Sequence, residues 1–359
     1  MASRQELNSG VGEIRAGLGF DEGRLGEWMT ANVDGFRGPL TVRQFNGGQS
    51  NPTYRLETPG QTYVLRRKPP GQLLKSAHAV DREYKVITAL HAAGFPAPRT
   101  FGLCTDDSVI GTWFYVMDCV AGRIIWDTTF PDVPRAERAA YFDAMNATIA
   151  QLHMFDPAAI GLGDFGKPGN YFARQIGRWS QQYLDDTDAG RFPAMDRLVE
   201  WLPAHIPPGD EVSVVHGDYR CDNMIFHPTE PRVLAVLDWE LSTLGHPLVD
   251  LAYHGMAWRV TPTEFRGLKG HDLAALGIPS EAAYLADYSG RTGRAELPHW
   301  DYYLAFNMFR MAAILQGILA RSRQGSAASA HAERTGQQAR PMAEAGWHQV
   351  QLIQAGSTA

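Results

Sequence analysis

The spacing of apolar and polar positions changes character once along the chain. Before residue 118, three short runs rich in Val, Tyr, Thr and Leu stand between Gly and Pro clusters: Thr41 to Phe45, Thr53 to Glu57 and Thr62 to Lys68. That is the pattern of strands joined by tight turns, and Trp113 to Met117 repeats it. One helix interrupts the series. Between Ala79 and Ala93, Val80, Ile87 and Leu90 recur at helical spacing on one face, and Gly94 followed by Pro96 stops the run. Beyond Asp118 the period is mainly helical, in Arg135 to Met154, Gly169 to Asp185, Ala194 to Ala204 and most of Trp300 to Ser322. Two strand signals break it. Val212 to Val215 runs directly into His216, and Asn223 to Phe226 is joined to Val233 to Leu237 by the turn HPTEP, which suits a hairpin. Residues 322–340 are small and polar and predict a surface loop or frayed helix. The expected class is α+β: a small antiparallel β lobe with one helix over residues 1–117, a connector at Met117 to Val120, and a larger, mainly helical lobe over residues 118–359.

Composition narrows the function without changing this layout. A chain of 359 residues with 44% hydrophobic content is long and apolar enough for two lobes with a sizeable core. The formal charge of -6 is modest, and no run of five or six like charges occurs, so neither a nucleic-acid tail nor a polybasic membrane patch is expected. A small-molecule partner is the better expectation. Cys104, Cys119 and Cys221 are too few and too scattered for a disulfide framework or a zinc site. The N-terminal stretch MASRQELNSGVGEIRAG has acidic residues and glycines where a signal peptide needs a basic and then an apolar segment, so a cytoplasmic location is expected. Leu304 to Ala320 is interrupted by Asn307, Arg310 and Gln316, and predicts a buried helix rather than a membrane span.

The chemistry concentrates in the segment His216 to Asn223, HGDYRCDN. Phosphoryl transfer from a nucleotide needs a carboxylate to orient the acceptor hydroxyl, oxygen ligands that hold magnesium on the phosphates, and a cation on the phosphates that stay behind. Asp218 and Asn223 lie five residues apart on a loop after a buried strand, and Asp238 ends the second arm of the adjacent hairpin. A hairpin brings its two ends together, so Asn223 and Asp238 are expected to converge on one site of hard oxygen ligands. Strand alternation sets Val64, Arg66 and Lys68 on one face, and Pro69 ends the strand, which leaves Arg66 as the best-placed cation. Glu83 sits on the core-facing stripe of its helix, where an unpaired carboxylate is costly, and Arg66 can be its partner. A carboxylate at the stripe's edge, paired with solvent, is the competing account. In FNGGQSNPTYRL, Gly47, Gly48, Ser50 and Asn51 can let backbone amides approach phosphates, although a ligand-free Gly-Gly turn explains the segment almost as well.

These motifs together resemble the aminoglycoside phosphotransferase and choline kinase branch of the protein-kinase-like superfamily, whose signature is HGDxxxxN followed by a strand-terminal Asp. YVLRRKPPG, HAVDREYKVI, LDWELSTLGHPLVDLAYH and the AAILQGI stretch look especially like the phosphotransferase domain fused to acyl-CoA dehydrogenases in animals and free-standing in bacteria. The resemblance spans roughly residues 25–350. It implies a bilobal kinase-like fold and an ATP- and Mg2+-dependent transfer to the hydroxyl of a small molecule. By position, it implies Asp218 as catalytic base, Asn223 and Asp238 as magnesium ligands, Arg66 and Glu83 as the phosphate-side ion pair, and Met117, Asp118, Cys119 and Val120 as the hinge that meets adenine. The chain departs from protein kinases in reading HGD for HRD and Asp238-Trp239-Glu240 for DFG, so control by activation-loop phosphorylation is not expected. Arg66 also stands in place of the customary Lys, which keeps the charge but alters its reach.

Two further patterns carry less. Gly161 to Gly166 matches GxGxxG but follows no strand and opens no helix, and Ser50 lacks the second Gly of a nucleophile elbow. From Leu251 onward the chain has ten basic residues against eight acidic ones, opposite in sign to the whole. With Arg174 and Arg178 beside Trp179, this favours a neutral or anionic acceptor over the polycation of an aminoglycoside- or choline-type kinase, and the resemblance implies a hydroxyacyl compound as such an acceptor. A solvated basic helix face explains the same charges. A nucleotide-binding pseudokinase is the rival from outside the enzyme class.

Overall fold

The computed structural model describes residues 10–46, 51–71, 78–167, 169–186, 188–323 and 330–356. Two compact units emerge. The first comprises the chain up to Trp126 with Ala158–Phe165 and Cys221–Ser242, and the second Asp127–Pro157, Gly166–Arg220 and Thr243–Ala359. The first unit therefore runs past the boundary expected at residue 117 and takes in the hairpin that was expected in the helical lobe.

The first unit is built on an antiparallel sheet, with strands β1 (Val11–Gly12), β2 (Thr41–Phe45), β3 (Thr53–Glu57), β4 (Thr62–Arg67), β5 (Thr100–Cys104) and β6 (Phe114–Asp118), in the order β1-β2-β3-β4-β6-β5. The period-two pattern sorts its faces. Tyr54, Leu56, Tyr63, Leu65, Phe114 and Val116 point into a core with Leu25, Met29 and Val33 of helix α1 (Glu22–Asn32) and its C-cap. The opposite face carries two cross-strand rows, Arg55–Val64–Met117 and Thr53–Arg66–Tyr115. Helix α2 (Val80–Ala92) buries Val80, Glu83, Val86, Ile87 and Leu90 as one stripe. Helix α1 and strand β5 were not expected from the sequence. In α1 two glycines dilute a short apolar stripe, and Asp21 caps it by accepting from the Arg24 amide. In β5, Gly102 weakens the strand signal, yet a Cβ there would meet the Trp28 ring at 3.0 Å.

Strands β8 (Met224–Phe226) and β9 (Val233–Val236) form the expected hairpin. It joins the first unit because the connector itself pairs with it. Arg123 and Phe226 exchange both backbone hydrogen bonds, at 2.9 and 2.8 Å, and the Val236 amide donates to the Pro96 carbonyl at 2.8 Å. The approach is close enough to require glycine at 122, where a Cβ would lie 2.4 Å from both Ile225 and the Phe226 carbonyl.

The second unit is helical around a small strand pair, β7 (Ser213–Val215) with β10 (Thr243–Gly245). Its longer helices are α3 (Arg138–Met154), α4 (Tyr171–Asp185), α5 (Pro193–Ala204), α6 (Pro247–Gly255), α7 (Glu281–Thr292), α8 (Trp300–Arg323) and α9 (Ala339–Gln354). By length and composition alone the 24-residue α8 could cross a bilayer, but 89% of its most apolar window is buried inside the protein. It is the unit's central core helix, longer than the apolar stretch that predicted it. Part of the segment expected as a loop or frayed helix is helical, at Ala330–Gly336 and again from Ala339.

Candidate active site

In the first unit, the cleft-facing side of the sheet and the hairpin enclose a cavity of about 780 Å3. Val64 and Arg66 of β4, Met117, Asp118, Cys119 and Val120 of the connector, and Asn223 and Asp238 at the hairpin's base all line it. Its size is that of a small-molecule site. The hairpin register explains the meeting of Asn223 and Asp238: the Leu237 amide donates to the Asn223 carbonyl at 2.8 Å, one residue beyond the last β8–β9 pair. Asp238 follows in the left-handed region, with φ 64°, a conformation that Asp tolerates better than most residues.

Arg66 is the hub of this cleft. Its Nε lies 2.8 Å from Glu83 Oε2, and its Nη2 donates to Asp238 Oδ1 at 2.6 Å. Burial alone would weaken the guanidinium's hold on its proton, but Glu83 and then Asp238 outweigh it and keep the pKa above the ordinary arginine value. Glu83 is 1% exposed, and its carboxylate also accepts from Asn51 Nδ2 at 2.7 Å and Tyr115 Oη at 3.1 Å. Burial pushes the Glu83 carboxyl up, while Arg66 and the two donors pull it back. Both carboxylate oxygens thus have partners, which makes a buried carboxylate tolerable here. Asn51, expected on a phosphate loop, has its side chain fully buried between Glu83 and His78, whose Nδ1 is 2.9 Å from Asn51 Oδ1. That side chain therefore fastens Glu83. Gly47, Gly48 and Ser50 lie outside the described residues.

In the second unit, β7 delivers the HGD segment, whose backbone is held from beneath by Asp250 of α6. Asp250 Oδ2 accepts from the His216 amide at 2.6 Å and Oδ1 from the Gly217 amide at 2.8 Å. Gly217 adopts φ 83°, which favours glycine. Enclosure opposes ionisation of Asp250, but the His153 hydrogen bond and the neighbouring His216 hold its carboxyl below the ordinary range. Asp218 is gripped twice: Tyr253 Oη donates to its Oδ1, and Arg220 Nε lies 3.1 Å from the same oxygen. Burial and the charge of Asp218 raise the Tyr253 pKa, so the phenol stays a donor at neutral pH. Arg310 of α8 donates to the Gly217 carbonyl at 2.7 Å. Of the two arginines singled out on α4, Arg174 donates to the Lys167 carbonyl at 2.6 Å, and the exposed Arg178 lies over the Trp179 ring. Local reading missed Tyr253, Asp250 and Arg310. Arg310 did leave a signal, a charge inside an apolar helix that the fold must bury.

Among the described residues, no group of three or more His, Cys, Asp and Glu side chains forms a metal cage. A carboxylate and an amide oxygen on one cleft fit magnesium all the same, because that ion takes one or two protein ligands and completes its shell with phosphate and water oxygens.

Residues 41–300 match the family model of the phosphotransferase enzyme family. The chain belongs to that family. This phosphotransferase is 55% identical to a Ralstonia eutropha protein solved as a candidate aminoglycoside phosphotransferase, over 92% of this chain and 98% of that one, with a TM-score of 0.85. It is 44% identical to acyl-CoA dehydrogenase family member 11 of Gallus gallus over 95% of its own length, but spans only 45% of that longer protein. The aminoglycoside phosphotransferase APH(4)-Ia, in ternary complex with ADP and hygromycin B, shares the fold at 16% identity and a TM-score of 0.56, over 90% of this chain and 98% of that one. The phosphotransferase is thus a small-molecule kinase with an α+β, protein-kinase-like architecture.

Proposed function

We propose that this kinase moves the γ-phosphoryl group of ATP to a hydroxyl of a small neutral or anionic metabolite, with Mg2+ as cofactor. The observation that carries the reading is the gathering of Arg66, Asn223 and Asp238 on one cleft, bordered by the connector Met117 to Val120. Adenine fits the connector, whose backbone is free of strand partners beyond Asp118. Arg66, fixed by Glu83, faces the phosphates that remain with the nucleotide. Asn223 and Asp238 would hold magnesium, which when bound neutralises charge on the phosphate oxygens. Asp218 stands five residues before Asn223 on the same loop. Its carboxylate accepts the proton of the acceptor hydroxyl as that oxygen bonds to the γ-phosphorus, the bond from phosphorus to the bridging oxygen breaks, and ADP departs. Tyr253 and Arg220 orient the carboxylate for this.

The ADP complex of APH(4)-Ia supports a nucleotide donor, and the acyl-CoA dehydrogenase name of the longer relatives supports a hydroxyacyl compound as acceptor. Arg174 and Arg178 would attract such an acceptor from the α4 surface, and alanine at either position should raise its KM. The reading as a whole is tested by thermal shift and calorimetry with Mg-ATP, followed by ATP consumption against hydroxylated metabolites. Stabilisation by Mg-ATP and acceptor-dependent ADP release are expected. No nucleotide binding by either method contradicts it.

A further inference from the structure

Arg310 is a buried cation with no acid partner among the described residues. It is 4% exposed, and no carboxylate among the described residues lies within ion-pair distance of it. Among those residues its hydrogen bond runs from Nη2 to the Gly217 carbonyl, and Nε and Nη1 have no acceptor there. The guanidinium sits over two aromatic rings, Trp179 at 5.9 Å and Tyr253 at 5.5 Å. Several other arginines of the unit do meet an acid, whereas the half-buried Arg138 donates only to the Val133 and Leu276 carbonyls among the described residues. Arg259 meets Glu281 at 2.6 Å, Arg294 meets Glu211 at 2.5 Å, and Arg291 meets Asp143 at 2.5 Å. Burying a charge without a counter-charge is unfavourable, and π faces with one carbonyl compensate only in part. A protein that keeps such a residue leaves room for an anion from outside.

The location says which anion. Tyr253 places its ring against Arg310 and its hydroxyl on Asp218, so one side chain joins the unpaired cation to the carboxylate of the HGD segment. Gly217, whose carbonyl Arg310 holds, directly precedes Asp218. We infer that Arg310 is the binding group for a carboxylate on the phosphoryl acceptor, and that the acceptor is a hydroxycarboxylate whose hydroxyl reaches Asp218 while its acid end pairs with the two free edges of the guanidinium. Arginine suits this task because its planar fork matches a carboxylate bidentately. The inference rests on the kinase reading above and narrows it from neutral or anionic acceptors to anionic ones. The Trp179 ring that borders the guanidinium also carries Arg178, at 5.0 Å from the indole.

The test measures binding of 2-, 3- and 4-hydroxybutanoate and of their neutral amides by calorimetry, in the wild-type protein and in Arg310→Met and Arg310→Lys. In the wild type, at least one acid should bind tenfold or more tighter than its amide. Arg310→Met should abolish that ratio, and Arg310→Lys should restore part of it. A structural role at Gly217 alone would lower acid and amide binding together and leave the ratio unchanged, which overturns the inference. So would amides that bind the wild type as well as the acids, or acids that do not bind at all. Nucleotide binding is measured in parallel. Failure of the wild type to bind Mg-ATP defeats the kinase reading, while the acid-to-amide ratio still decides the role of Arg310.

Discussion

At the scale of single residues, function turns on which charges are paired. Arg66 joins Glu83 and Asp238, so on the proposed reading its removal should act on stability and on nucleotide binding together. Arg66→Met leaves Glu83 buried beside Asn51 and Tyr115 without its cation, an expected cost of roughly 3–5 kcal/mol in urea unfolding. Arg66→Lys retains the charge and should recover much of that stability, with weaker affinity for Mg-ATP. Equal stability of Arg66→Met and the wild type would show that the pair is not structural. Tyr253→Phe removes the hydroxyl that steadies Asp218 and leaves the ring in place. Its kcat should fall about tenfold, equivalent to about 1.4 kcal/mol, with nucleotide affinity unchanged. An unchanged kcat would take Tyr253 out of the site. HGDYRCDN, Asp238 and the cation at Arg66 were legible because each follows from local spacing. Tyr253, Asp250 and Arg310 reach the HGD segment from 35, 33 and 93 positions away, and no local period records such meetings.

At the scale of elements, α6 matters through the backbone it holds. Asp250 accepts two buried amides, from His216 and Gly217. Asp250→Ala should cost roughly 2–5 kcal/mol, since two buried N–H groups lose their partner, and should impair turnover through the displaced loop. A melting temperature equal to the wild type's would contradict this. The strands β2, β3 and β4 and the helices α2, α3, α4, α5 and α8 were legible to within a few residues because their apolar spacing is regular. Helices α1, α6, α7 and α9 were not singled out, and β5 was hidden by Gly102, whose value lies in a contact with Trp28.

At the scale of the whole molecule, buried histidines set an acid limit on stability. Burial pushes His246 and His254 down to about 4 from the ordinary 6.5. His246 Nδ1 also accepts from the Leu248 amide as the N-cap of α6, a bond that requires the unprotonated nitrogen. As pH falls below 6.5, the unfolded chain takes up these protons before the folded one. Stability is therefore fully present above pH 6.5 and is lost progressively down to about pH 4, by up to ~1.4 kcal/mol per pH unit for each histidine. Urea midpoints at pH 7.5, 6.5 and 5.5 should fall on the acid side, and His246→Gln with His254→Gln should flatten the fall. An identical slope in the double variant would contradict it. The division into a β-rich and a helical part was legible, but the docking of the hairpin on the connector was not. It depends on Gly122 and on backbone pairs between Arg123 and Phe226, more than a hundred residues apart in sequence.

The central claim is that Asp218 takes the acceptor's proton in phosphoryl transfer from Mg-ATP. Its most direct test is acceptor-dependent ADP formation by Asp218→Asn and the wild type at equal nucleotide saturation, with Mg-ATP affinity measured on both proteins. The predicted result is an affinity within a few-fold of the wild type and a turnover lower by about 100-fold to 10,000-fold. Equal turnover in the two proteins would contradict the claim.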